Sequence, residues 1–261
     1  MTATESPAGS LRDFYEAPEV PISSGSDRAN RQLRMLADVL RTRPGRQRIL
    51  DVGCGDGAAT SLVARFEPAN HVIGLDWSTR AVRTARDYGF DMISGGVDGP
   101  GLPIASESMD VVIMSELIEH LVDTDAALTE ALRVLRPGGA LLLSTPNLAA
   151  WYNRVLLAVG VQPIFTEVGL RGIHGRPGAQ VVGHLRLLTR RALVGLLRAN
   201  GFERIDVTGA RYHDVPAMLA PIDRLLCHWP GAASILLAAA FRATTPPSVP
   251  PLSCGDEGGV A

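Results

Sequence analysis

Lysine is absent from all 261 residues, so each of the 25 side chains counted as Lys or Arg is an arginine. That absence removes whole chemistries: no Schiff base to pyridoxal phosphate, no P-loop lysine on a nucleotide phosphate, no lysine general base. Cysteine is scarce, and Cys54, Cys227 and Cys254 match neither a disulfide framework nor a CxxC metal site. Net charge is only −2, which gives no overall electrostatic case for a nucleic-acid partner. Long apolar runs are missing too. Residues 225–241 (LLCHWPGAASILLAAAF) are uncharged but contain His, Pro and Gly, and fall short of the ~20 apolar residues of a membrane span. No secretory apolar segment stands at the start. A soluble, cytoplasmic protein is the expectation.

What is present is 46% hydrophobic and 20% charged residues, enough for one α/β domain with a well-buried core. Residues 1–27 read as a flexible segment, 28–242 as the domain, and 243–261, with TTPPSVPP, as a disordered tail. Within the domain, helical and strand patterns alternate as in a doubly wound sheet with helices on both faces. Strands are predicted at 48–52, 71–76, 91–96, 109–115, 140–144, 202–207 and 234–241. The fourth, MDVVIMS, is apolar throughout, as a strand covered on both faces must be. Helices are predicted over 28–42, after residue 57 (carrying Thr60, Leu62, Val63 and Phe66), from Ser78 to about Tyr88, over 124–135 with RPGG as its stop, and after Thr189. Residues 148–183 interrupt the alternation. They offer an extra helix with Trp151 and Tyr152, then a Gly-rich stretch from Gly160 to Gly183, long enough to be either an acceptor lid or a disordered loop.

The first strand runs straight into LDVGCGDG (50–57). Gly53, Gly55 and Gly57 allow positive φ and let a ligand lie against bare backbone, so the turn is built for a cofactor. Asp51 sets the sign of that cofactor. A carboxylate there repels a dinucleotide pyrophosphate and attracts an ammonium and a sulfonium, which points to S-adenosylmethionine (SAM). Gly53, Gly55 and Ala58 do satisfy GxGxxA, and Asp76 lies about twenty residues on, as an NAD site requires. Asp51 argues against that oxidoreductase reading on charge. Asp51, Asp76 and Ser115 fall at the carboxyl ends of strands, where open α/β sheets bind ligands.

Taken in order, LDVGCGDG, VIGLDWS, GGVDGPGLPI, MDVVIMSELIEHL and LRPGGALLLSTPN resemble the motifs of the class I SAM-dependent methyltransferases, over roughly residues 48–210. The resemblance implies a seven-stranded Rossmann-like sheet. It places Gly53, Cys54, Gly55 and Gly57 in the cofactor loop, Asp76 on the ribose hydroxyls and Asp98 toward the adenine amine. Trp77 is positioned to pack on the adenine. Cys54 otherwise reads as a small packing residue. Against the role of Asp98 stands a plain solvated turn, since GVDGPG is rich in turn formers.

After the fourth strand comes Glu116-Leu-Ile-Glu119-His120. On a helix, offsets of 0, 3 and 4 share one face, so two carboxylates and an imidazole would converge near the transferred methyl. With the distant His184, this ExxEH pattern resembles ubiquinone-pathway O-methyltransferases and small-RNA 3′-terminal 2′-O-methyltransferases. The resemblance implies Mg²⁺, Mn²⁺ or Zn²⁺ held by Glu116, Glu119, His120 and His184. Coordination would position a hydroxyl and lower its pKa. His120 acting as a metal-free general base is the other catalytic reading, and helix capping and structural histidines the bland one. The expected acceptor is a hydroxyl on a small molecule or glycan. A basic bias at Arg28, Arg31, Arg34, Arg41, Arg43, Arg46 and Arg48 keeps an RNA 2′-O-methyltransferase in view, and a SAM-binding protein without turnover is the non-enzymatic alternative.

Overall fold

The computed structural model describes residues 27–43, 45–66, 68–97, 101–169, 171–176, 181–212 and 215–244. Asp98, Cys254, nearly all of the N-terminal segment and most of the proline-rich tail lie outside the described residues.

Seven strands form one sheet: β1 (Arg48–Val52), β2 (His71–Asp76), β3 (Asp91–Ser94), β4 (Met109–Ser115), β5 (Leu135–Pro146), β6 (Phe202–Ala210) and β7 (Ile235–Arg242). Their order is β3-β2-β1-β4-β5-β7-β6. The first five pair in parallel. β7 runs antiparallel between β5 and β6, a reversal that periodicity does not reveal.

Period-2 alternation sends neighbouring residues of each strand to opposite faces. Ile49, Val72, Val111, Ile113 and Leu142 pack on Leu36, Val39 and Leu40 of α1 (Asp27–Arg41) and Val63 of α2 (Ala58–Phe66). Leu50, Leu75, Val112, Met114 and Leu141 face Ala127 and Leu128 of α4 (Thr124–Val134) and Leu197 of α6 (Arg190–Ala199). The remaining helices are α3 (Thr79–Ala85), α5 (Trp151–Ala158) and α7 (Ala220–Leu226). Side-chain caps start three helices where the sequence reads them: Ser78, Asp123 and Thr189 accept from the backbone N–H three residues on, each worth about 1 kcal/mol.

On α2, Thr60, Ser61 and Val63 are buried, whereas Leu62 and Phe66 are exposed. Two local readings need correction. RPGG is no loop between helix and strand. Leu135 already pairs with Met109, and pairing resumes at Ala140 opposite Val111, so residues 136–139 bulge within β5. Arg136 anchors the bulge on the Asp110 carboxylate at 3.0 Å. The second correction concerns Glu116 and belongs to the site.

β6 crosses so close to the chain before β7 that a Cβ at Gly209 would lie 2.4 Å from both the Ala233 Cβ and the Cys227 carbonyl oxygen. Backbone cannot yield there, so Gly209→Ala should cost about 1–3 kcal/mol by overpacking, seen as a lower calorimetric Tm.

Candidate functional site

Strand alternation places Asp51 on the α1 side of the sheet, in register with Ile113 of β4. Ser115 follows two residues later on the same face. There α1 brings Arg28 and Gln32 over the strand ends, and Arg28, Gln32, Asp51, Ala59, Ile113 and Ser115 line one pocket. Gln32 Nε2 donates to Ser115 Oγ at 2.6 Å. Thr60 Oγ1 donates to Asp51 Oδ2 at 2.6 Å. Burial pushes the Asp51 carboxyl up to about 6, the Thr60 hydrogen bond opposes this, the charge of Asp76 adds to it, and Arg28 also opposes it. Sequence reading missed Arg28 and Gln32 as site residues. Their signal was present: both are polar residues on the buried stripe of an amphipathic helix, and both are buried.

The glycine loop is tied to β2. Gly53 and Cys54 both donate to the Leu75 carbonyl, at 2.7 and 3.1 Å. Asp76 accepts from the Gly55 N–H at Oδ2 and the Ser78 N–H at Oδ1, each at 2.8 Å. Gly57 has φ +79°, and a Cβ there would lie 2.7 Å from the Ala85 Cβ, so glycine is required for the loop to turn into α2. Cys54 is buried with its sulfur 3.9 Å from Met92 Sδ. Burial and then the charges of Asp51 and Asp76 push its thiol far up, which suits packing and opposes nucleophilic use. Trp77 is half-buried at the end of β2, with a Cβ at Gly96 falling 3.5 Å from the tryptophan Cβ.

After β4 the helix expected from Glu116 does not form. Glu116 adopts φ +50°, and a single 3-10 turn spans Ile118–His120. The left-handed residue swings the Glu116 carboxylate aside, where it accepts from Ser144 Oγ at 2.7 Å and stands 4.0 Å from Arg28 Nε. Glu119, His120 and His184 do converge, with one ligand atom from each within 4.8 Å of the others, and Glu116 is not among them. The offset rule of an α-helix fails because the turn is tighter and begins two residues late.

The cluster is oriented from outside. His120 Nδ1 lies 3.1 Å from the Gly183 carbonyl, and His184 Nδ1 3.1 Å from the Phe165 carbonyl. A carbonyl only accepts, so both rings carry their hydrogen on Nδ1, which makes Nε2 the unprotonated nitrogen of each neutral ring. Glu119 is fully buried. Its Oε2 accepts from Thr145 Oγ1 at 3.0 Å, while its buried Oε1 has no hydrogen-bond partner among the described residues. Burial, then the charge of Glu116, pushes the Glu119 carboxyl well above the carboxylate range. Burial holds both imidazoles down to about 4.

The stretch before His184 is built around a buried carboxylate that the sequence did not single out. Glu167 accepts from the N–H groups of Val182, Gly183 and His184 and pairs with Arg176 at 3.5 Å. Phe165, at φ +74°, turns its carbonyl onto His184 and stacks edge-on against Tyr212 and His184. Asn153 of α5 holds the same segment through the Ile164 N–H at 2.7 Å.

Residues 50–143 match the family profile described as a methyltransferase domain. Over those residues the chain carries a methyltransferase domain. The seven-stranded mixed sheet agrees: a SAM-dependent methyltransferase of Thermotoga maritima superposes with a TM-score of 0.56 over 83% of this chain and 89% of its own, at 18% identity. Among curated methyltransferases, a ubiquinone biosynthesis O-methyltransferase of Brucella anthropi is 30% identical over 64% of this chain and 64% of its own length. One of Rhizobium johnstonii is 27% identical over 80% of each. The chain spans 58%, 36% and 64% of three of the curated relatives it matches. Among the described residues, no helix of this methyltransferase domain is long and apolar enough to cross a membrane.

Proposed function

We propose that this protein transfers the SAM methyl group to a hydroxyl oxygen of a small-molecule or glycan acceptor, with a divalent cation held by Glu119, His120 and His184. The observation that carries the cation is the buried Glu119 Oε1, without a hydrogen-bond partner among the described residues, on a carboxylate that converges with two imidazoles whose Nδ1 atoms are fixed by carbonyls. A carboxylate with two imidazoles suits Zn²⁺ and related divalent ions. When bound, such an ion supplies Lewis-acid polarisation that lowers a hydroxyl pKa.

The amino-acid end of SAM is a zwitterion, and the pocket offers both matching charges. Asp51 would accept the ammonium and Arg28 the carboxylate, with Asp76 receiving the ribose hydroxyls, while Trp77, Ser115 and the loop from Gly53 to Gly57 shape the remaining wall. The Arg28 pairing accounts for a buried guanidinium beside a buried carboxylate. Arg28→Ala should raise the SAM Kd about 10- to 100-fold, the worth of a charge-assisted hydrogen bond, measured by titration calorimetry.

Transfer is a displacement in line with the S–CH₃ bond. The acceptor oxygen forms the new O–C bond, the S–CH₃ bond breaks to leave the thioether S-adenosylhomocysteine, and the hydroxyl proton passes to solvent water or to a protein base. His120 is a poor base for that proton. With its pKa near 4 it is neutral at working pH but far below the optimum for general-base catalysis, which favours acidifying the hydroxyl first. The names of the ubiquinone-pathway relatives support oxygen as the acceptor atom. The RNA reading is weakened at three of its seven arginines: Arg28 is buried, Arg31 pairs with Asp27 at 2.8 Å and Arg41 with Asp38 at 2.7 Å. The direct test is radiolabelled-methyl transfer from SAM to phenols, catechols, glycans and RNA. Labelling of RNA alone, or of nitrogen but not oxygen, would overturn this reading.

A further inference from the structure

We infer that the face made by residues 216–229 together with helix α5 docks on the anionic interface of a lipid bilayer. Along 216–229 the usual burial is inverted. Met218, Ile222, Leu225 and Trp229, spaced four, three and four apart, are 83%, 45%, 62% and 61% exposed. The single acid of that stretch, Asp223, is 1% exposed and accepts from Trp151 Nε1 at 3.0 Å and Ser234 Oγ at 2.8 Å. A helix that only lined a domain core would turn these residues the other way.

The neighbouring helix extends the same surface. Trp151 N–H donates to the Ala232 carbonyl and Arg154 Nη2 to the Gly231 carbonyl, each at 3.0 Å, so α5 is fastened to this segment. Val155 and Leu157 of α5, and Val159 just beyond it, are also exposed.

Charge selects the occupant. Among the described residues, the exposed charged side chains of 151–160 and 215–232 are Arg154 and Arg224, and no carboxylate is exposed there. Pairing this face with a second copy of itself would bring arginines together without acids to meet them. An anionic headgroup layer matches the arginines, while the acyl boundary takes up the Met, Ile, Leu and Trp side chains. The same face is joined through Asn153 and Phe165 to His184, so a docked surface would lie behind the acceptor side of the proposed site. The docking itself does not depend on methyl transfer.

The test is co-sedimentation of the full chain with phosphatidylcholine vesicles, with and without phosphatidylglycerol, beside sedimentation velocity without lipid. The expected result is binding to the phosphatidylglycerol vesicles that weakens with added salt. The double variant L225E/W229E should bind them about tenfold or more weakly, with unchanged Tm and SAM affinity because both side chains are exposed. Absence of vesicle binding by the natural chain would overturn the inference, as would full binding by the double variant. A dimer that dissociates in the double variant, with no vesicle binding, would assign the face to a second copy instead.

Discussion

Asp51→Asn will raise the SAM Kd by about two to three orders of magnitude, because removing one partner of a buried ion pair costs about 3–5 kcal/mol. The same substitution will leave the SAM-free protein as stable as before, or more stable, at neutral pH. Burial raises the Asp51 carboxyl from 3.8 to about 6 in the folded chain, a difference worth about 3 kcal/mol. The folded state therefore binds this proton more tightly than the unfolded chain does. The stability that the protonated form enjoys is present in full below about pH 4 and lost as pH rises through 6. Above that range the ionised group is carried at a cost that asparagine avoids, while Thr60 can still donate to the amide oxygen. Binding and stability should thus move in opposite directions, measured by titration calorimetry and by Tm between pH 5 and 8. In the natural protein SAM affinity should fall as pH drops below about 6. A parallel loss of Tm and of SAM binding in Asp51→Asn would mean a structural carboxylate and would remove the ammonium assignment.

Glu119→Gln, and chelation of the natural protein, should each lower methyl transfer by about 100-fold or more, the scale on which metal sites lose activity when their donor set is broken. SAM affinity should barely change, since none of Glu119, His120 and His184 lines the pocket of Arg28, Asp51 and Ser115. His184→Gln should behave alike. Glutamine at 119 keeps the contact with Thr145 and the backbone carbonyl that holds the Leu185 and Arg186 N–H groups, so the fold is retained. The Glu119 carboxyl is held well above its ordinary range, so it carries a proton over a pH range where an exposed glutamate does not. A divalent cation needs that group ionised. Cation uptake should therefore release protons, and apparent affinity should climb with pH until Glu119 is fully ionised. Calorimetry of Zn²⁺ or Mn²⁺ binding in buffers of different ionisation enthalpy reads the proton count directly. Transfer rates indifferent to chelation and to both variants would return the two histidines to a structural role.

Much of the cofactor side was legible in the chain because it depends on local, strongly patterned features. Leu50, Val52, Val112 and Met114 belong to apolar runs that admit only buried strands, and the chemistry sits where those runs end, at Asp51, Asp76 and Ser115. The acceptor side was less legible because it depends on conformations that carry no periodic signal. Glu116 takes a left-handed turn that no helical offset anticipates, so one of four expected ligands leaves the cluster. Arg28 looks like one of several surface arginines until α1 is laid over the sheet with that residue inward. Glu167 organises the approach to His184 through three backbone N–H groups, a role that only the folded loop defines. The bulge over 136–139 hides within β5 because Arg136, Pro137, Gly138 and Gly139 spell a turn, yet Leu135 already has a strand partner.

The position of β7 imposes an order on the synthesis of the molecule. By residue 115 the ribosome has delivered β1 to β4, with Asp51, Asp76 and Ser115 at their ends. β5 follows at once and must then wait. Its outer edge, apolar from Ala140 to Leu143, is covered only when residues 235–242 emerge, and β6 has nothing to pair with until the same moment. A nascent chain halted after residue 210 would carry a central strand with one open edge beside a finished cofactor half, a state exposed to aggregation. Completion is therefore a single late event, in which one antiparallel strand slots between two older ones and closes both edges together.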